Sequence, residues 1–357
     1  MEKGQSVEWL DLPSELWTVI AGHVNKDIIT FDIHRFSSVC KTWRYAHPST
    51  HHTLFTPRVY IPLSDDKSFL LQTKIYRLEP LPHQDPSISS SKGWIIMLGE
   101  SESMPIDLLN PFTRIAIKDD FPNMYESGER VLNLTNFQAV ELIEAFTLCS
   151  CNSNINRVRK TVLFPGQIVC ALDKDGELSV HKIGEKKWSK MDLDYEKTHY
   201  HDIMFHMGRL YVMDNLGTVF WMNPSSLELI PFSQSLCLWY GYGYRKHMVE
   251  SGGSLYVVNR YIPWTYYDGD KADVEVYKLN EECGTWVKVK NLGDLMFILG
   301  GDSNFSLSAQ EYYGCERNCI YLSQGGKVFS YNLENSELKN PNPFWPCPNL
   351  FASKFNL

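Results

Sequence analysis

Residues 208–231 read GRLYVMDNLGTVFWMNPSSLELIP. An apolar stretch, LYVM, ends at a turn carrying Asn215 and Gly217, and a second apolar stretch, VFWM, ends at a second turn around Asn223 and Pro224. A short third stretch, LELIP, follows. Glycine supplies the positive φ that a tight hairpin turn demands, so the pattern predicts three short antiparallel strands in a row.

The same order recurs on both sides of this stretch. Upstream lies GQIVCALDKDGELSVHKIGEKKWSKM from Gly166. Downstream lies GSLYVVNR from Gly253, resumed after an insertion as VEVYKLNEECGTWVKVK, and then NCIYLSQGGKVFSYNLENSELKNP from Asn318. A looser copy, GWIIMLGESESMPIDLLNPFTRIAI, begins at Gly93. One more short strand precedes several copies, as KTVLF, HDIMFHM or KHMVES. Four strands per unit at a spacing of about forty residues predict a β-propeller. FLLQTKIYRLEP near residue 70 would start the ring, FWPCPNLF would help close it, and residues 121–160 would hold a degenerate blade. Six or seven blades fit the length.

The first fifty residues follow a different rule. Leu16, Val19, Ile20 and Val24 recur at three- and four-residue spacing, one face of a helix that Pro13 and Ser14 would open. A second helix would carry Ile28, Phe31 and Phe36, and a third Val39, Cys40 and Trp43, ending at Pro48. Such a unit buries little core alone. The expected class is therefore α+β multidomain: a three-helix unit over residues 8–50, then an all-β propeller over 55–357.

Composition excludes several functions. The chain has 357 residues and a formal charge of −8, with no long run of Lys or Arg, so a nucleic-acid partner is not expected. No apolar run approaches a membrane span. The N-terminus lacks a signal-peptide pattern, and nine scattered cysteines form no disulfide framework. A reducing cytoplasmic or nuclear setting is expected.

Leu12-Pro13, Leu16, Ile20, Val24, Asp27, Phe36, Val39-Cys40 and Trp43-Arg44 closely resemble the F-box, which opens L-P-x-E-L and closes V-C-x-x-W-R. Val24-Asn25 stands where many F-boxes have leucine-proline. The rest is similar to the KIB-type β-propeller of plant F-box proteins, also labelled F-box/kelch-like. The matching landmarks are KIYRLEP, SKGW, LLNP, HDIMF, VESGGSLYVVNRY, VYKLN, WVKVKNLGD, NCIY and FWP. The resemblance implies the substrate-recognition subunit of an SCF-type ubiquitin ligase, itself non-catalytic and without a cofactor. In that family a Skp-type adaptor covers the F-box and joins it to a cullin and a RING subunit, while the propeller holds the protein substrate. By position, Leu12, Pro13, Leu16, Ile20, Val24, Val39 and Trp43 fall at the adaptor contact or in the core behind it. Packing of all seven against the propeller is the alternative.

Elsewhere the residues offer little chemistry. No G-x-S-x-G, H-E-x-x-H or phosphate-loop motif occurs. His201 and His206 sit five residues apart, on opposite faces of a strand, and are expected to be structural. Cys149-Ser150-Cys151 and the pair Cys315 and Cys319 lack zinc-ribbon spacing, so no metal is expected. Two aromatic clusters read as partner sites: WYGYGYRKH at 239–247, and the insertion carrying Arg260, Tyr261, Trp264, Tyr266 and Tyr267. Wedging between blades is the alternative for both. Two rival functions stay open: an adaptor-bound scaffold acting outside ubiquitination, and a propeller that binds a small ligand in its channel.

Overall fold

The computed structural model describes residues 59–63, 66–80, 92–99, 107–116, 137–150, 158–164, 168–185, 187–191, 199–236, 245–261, 273–324 and 327–340. The three helices expected over residues 8–50, and all seven adaptor residues, lie outside them.

Five strands come first: β1 (Val59–Leu63), β2 (Asp66–Pro80), β3 (Trp94–Gly99), β4 (Asp107–Leu109) and β5 (Phe137–Ser150). Next is the meander β6 (Val158–Phe164), β7 (Ile168–Asp173), β8 (Leu178–Lys182) and β9 (Ser189–Met191). A second meander has β10 (Tyr200–His206), β11 (Arg209–Asp214), β12 (Val219–Met222) and β13 (Leu229–Pro231). A third has β14 (Arg245–Ser251), β15 (Ser254–Tyr261), β16 (Asp273–Asn280) and β17 (Thr285–Val289). The last unit has β18 (Leu295–Leu299), β19 (Asn304–Ser308), β20 (Cys319–Gln324), β21 (Lys327–Asn332) and β22 (Glu337–Lys339), ordered β19-β18-β20-β21-β22.

Alternation explains how these sheets form a ring. On β11, Leu210 and Val212 pack toward the β6–β9 sheet, while Tyr211 and Met213 pack toward β14–β17. On β15, Leu255 and Val257 face one neighbour, and Tyr256 and Val258 the other. On β20, Ile320 and Leu322 meet β14–β17, whereas Cys319 and Tyr321 meet the sheet of β2 and β3. On β7, Cys170 and Leu172 face β10–β13, and Val169 and Ala171 face β1, β2 and β5. Strands β7, β11, β15 and β20 are thus apolar on both faces because each face has its own neighbour. Among the described residues, five interfaces close the circle.

Among the described residues the ring therefore has five units, not the six or seven expected from length. The cause is the ribbon of β2 and β5, 15 and 14 residues long, paired from Ser68↔Ser150 to Pro80↔Phe137. The stretch read as a separate degenerate blade supplies β5, which joins the first sheet and touches β6 through one pair, Phe146↔Thr161.

The outer turns repeat in detail. Asn110, Asn223, Asn280 and Asn332 each accept a backbone N–H two residues on, at 2.9, 2.9, 3.1 and 2.8 Å. Four residues after each asparagine the chain takes a positive φ, at Arg114, Leu227, Gly284 and Ser336. An asparagine side chain that mimics a turn, followed by one left-handed residue, marks the corner before the outermost strand or bridge in four units.

Candidate functional site: the central channel and its mouth

The innermost strands β6, β10, β14 and β19, with the middle of β5, surround the ring axis. Asp202 ties four of them together. Its Oδ1 accepts the Lys160 ammonium at 2.7 Å and its own strand's Ile203 N–H at 2.9 Å. Its Oδ2 accepts the Met248 N–H at 2.7 Å and Asn304 Nδ2–H at 2.9 Å. Lys160 and Asp202 are both buried, so this saturation offsets the cost of burying the charge. A second node links the ribbon to the last unit. Arg114 pairs with Asp302, Thr147 Oγ1 donates to Asp302 Oδ2 at 2.7 Å, and Arg114 Nη2 donates to Thr73 Oγ1 at 2.9 Å.

A cavity of about 270 Å³ lies between these nodes, bounded by β5, β6, β10 and the turn before β19. Glu144, Leu163, Phe205 and Ser303 line it, as do Thr161 and Asn304. Thr161 Oγ1 and Asn304 Oδ1 have no hydrogen-bond partner among the described residues.

At the end where β6, β10 and β14 begin, the channel mouth is basic. Arg159 donates to the carbonyls of His201 and Tyr200, the latter at 3.4 Å. His201 Nδ1 accepts the Lys246 N–H at 3.3 Å, and His247 Nε2 accepts Arg260 Nε–H at 2.9 Å. Arg260 Nη1 also donates to Gln324 Oε1 at 3.3 Å. Both rings act as acceptors, which requires them neutral. Burial, then the charges of Lys246, Arg159, Arg245 and His199, bring His201 down to about 3. Burial, then Arg260, Arg159, Lys160 and Arg245, hold His247 well below the ordinary imidazole range. Burial, then Arg245 and Arg159, lower Arg260 to about 10, leaving it charged at neutral pH.

The insertion's Arg260 and Tyr261 end β15 at this mouth, whereas Trp264, Tyr266 and Tyr267 lie outside the described residues. Of the second cluster, Arg245, Lys246 and His247 begin β14, and residues 239–244 lie outside. His201 and His206 occupy opposite ends of β10, roughly 16 Å of strand apart. Cys319 is buried and Cys149 and Cys315 are half-buried. Sequence reasoning missed Arg159 and took His201 as merely structural. The available signal was positional, because Arg159, His201 and Arg245 fall at or next to the first residue of successive inner strands.

Comparison with known proteins bears on the ring as a whole. The chain is 29% identical over 340 residues to an F-box protein of Arabidopsis thaliana, covering 88% of this chain and 95% of that protein. It is 29% identical over 366 residues to the F-box protein SKIP23 of the same plant, covering 91% and 85%. A solved Bacteroides thetaiotaomicron protein of unknown function aligns with 79% of this chain and 82% of its own at a TM-score of 0.29 and 10% identity, too slight a likeness to bear on function. Residues 61–335, which take in nearly all the described strands and both channel nodes, match the KIB1-4 beta-propeller; the chain belongs to that family.

Proposed function

We propose that the chain is the non-catalytic substrate-recognition subunit of an SCF-type ubiquitin ligase. The observation that carries this reading is the family match joined to relatives that bear the F-box name. Residues 8–50 act as the adaptor-binding unit, with Leu12, Pro13, Leu16, Ile20, Val24, Val39 and Trp43 at the contact or behind it. A Skp-type adaptor bound there leads to cullin and RING subunit, and the propeller presents a substrate lysine at raised effective concentration. Burying each Leu, Ile or Val is worth roughly 1.5–3 kcal/mol, so half a dozen offset an association cost of about 4–15 kcal/mol. Arg260, Tyr261, Trp264, Tyr266 and Tyr267 form the substrate contact in this reading; of these, Arg260 and Tyr261 end β15 at the channel mouth. A cytoplasmic or nuclear setting belongs to the proposal, in keeping with nine scattered cysteines whose spacing suggests no disulfide framework.

The test is co-purification with a Skp-type adaptor, comparing wild type with Leu12→Ala, Pro13→Ala, Leu16→Ala and checking propeller folding by thermal melt. The receptor reading expects wild type to retain adaptor and cullin and the folded triple variant to lose both. If wild type binds no adaptor although folded, the reading fails.

A further inference from the structure

Arg245 and Arg260 are directly paired residues of the β14–β15 ladder, so their side chains leave the sheet on the same face. Like charges placed opposite one another destabilise a sheet. A third guanidinium, Arg159, is close enough to act electrostatically on Arg260 and on both mouth histidines. The acids whose charges reach Arg159, Asp202 and Asp173, are engaged elsewhere: Asp202 holds Lys160, and Asp173 Oδ1 accepts the Glu177 N–H at 2.7 Å within its own turn. Among the described residues no carboxylate lies within ion-pair distance of Arg159, Arg245 or Arg260.

Packing alone gives no reason for three guanidinium groups with no ion-pair partner among the described residues to converge at one recess of a protein whose net charge is −8. The two histidines do not relieve them, since each is locked as a neutral acceptor. A bound anion would. We infer that the channel mouth formed by Arg159, Arg245 and Arg260 is a binding site for a phosphoryl group. Guanidinium forks match phosphate oxygens two at a time, and a dianion offsets three positive charges better than a single carboxylate does. The phosphoryl group comes either on a phosphorylated side chain or on a small phosphorylated molecule. This site goes beyond the receptor reading and stands whether or not the N-terminal segment binds an adaptor.

The experiment is calorimetric titration of the full chain with inorganic phosphate at pH 7.5 and fixed ionic strength, with acetate as the monoanion control. Saturable binding at one site is expected for phosphate and not for acetate. Arg245→Gln weakens it about tenfold or more, the loss of one charge-assisted pair. Without phosphate this variant melts at or above wild type, because Arg245 is exposed and its removal relieves repulsion. Arg245→Lys recovers only part of the affinity, because an ammonium keeps the charge but not the fork. A tripeptide, alanyl-phosphoseryl-alanine, assigns the source: affinity equal to or above that of free phosphate points to a phosphorylated side chain, and clearly weaker affinity to a small molecule. Absence of saturable phosphate binding, or an Arg245→Gln variant that binds as wild type does, overturns the site. Neither outcome touches the adaptor test.

Discussion

Lys160 and Asp202 meet at 2.7 Å between β6 and β10, two inner strands that share no ladder. Asp202 also accepts from Met248 and Asn304, so one carboxylate sets the relative height of four units. Asp202→Asn should cost about 3–5 kcal/mol in urea unfolding, because it strands a buried ammonium. Lys160→Met should cost less, since three N–H donors still satisfy the carboxylate. The double variant should recover part of the loss.

The first and last described units meet along a seam. Gly93 N–H donates to the Glu311 carbonyl at 2.8 Å, Tyr313 N–H donates to the Gly93 carbonyl at 3.1 Å, and the Trp94 and Tyr313 rings stack at 4.7 Å. Arg114 and Asp302 supply the buried charge pair of this seam. Asp302→Asn should destabilise by about 3 kcal/mol in the same assay, leaving Arg114 without its counter-charge. Lys190→Gln, which removes an exposed pair with Glu177, should cost under about 1 kcal/mol. Equal costs for the two would contradict the role given to the seam.

The repeated asparagine turns predict opposite effects at equivalent positions. Ser336 is exposed with φ 55°, a conformation that a side chain makes costly. Ser336→Gly should raise stability by a few tenths to about 1 kcal/mol. Gly284→Ser should lower it, because φ is +66° and a Cβ there would stand 3.2 Å from the Phe232 carbonyl oxygen. Thermal melts of the two variants should move apart.

The strands were legible because each repeat announces itself locally. Gly217 and Gly176 take positive φ in the turns the sequence marked, and the Asn110, Asn223, Asn280 and Asn332 corners lie within the quoted copies. The number of units was not legible. It depends on β2 pairing with β5 some seventy residues away, a contact no local pattern carries. The mouth was half legible. Arg245 and Arg260 stood out beside aromatic residues, but their direct opposition depends on ladder register, and Arg159 arrives from another sheet. The Asp202 node was invisible for the same reason, since its partners come from β6, β14 and β19.

Acid should loosen the ring through its neutral histidines. His201 is brought down to about 3 and His247 well below its usual range, first by burial and then by the surrounding cations. Both rings stay unprotonated in the folded chain as pH falls from 7 to 5.5, while the unfolded chain takes up a proton on each near pH 6.5. The unfolded state then binds more protons, so stability falls with pH across this window. Each histidine contributes about 1 kcal/mol by pH 5.5, allowing for partial exposure. Asp214 and Glu144, whose burial raises their carboxyl groups, act in the opposite sense but only nearer the carboxylate range. Replacing both rings by glutamine, which still offers an acceptor to Lys246 N–H and Arg260, should flatten urea midpoints between pH 7 and 5.5. A wild-type midpoint that does not fall over this range would place the two histidines in solvent instead of in the cationic mouth.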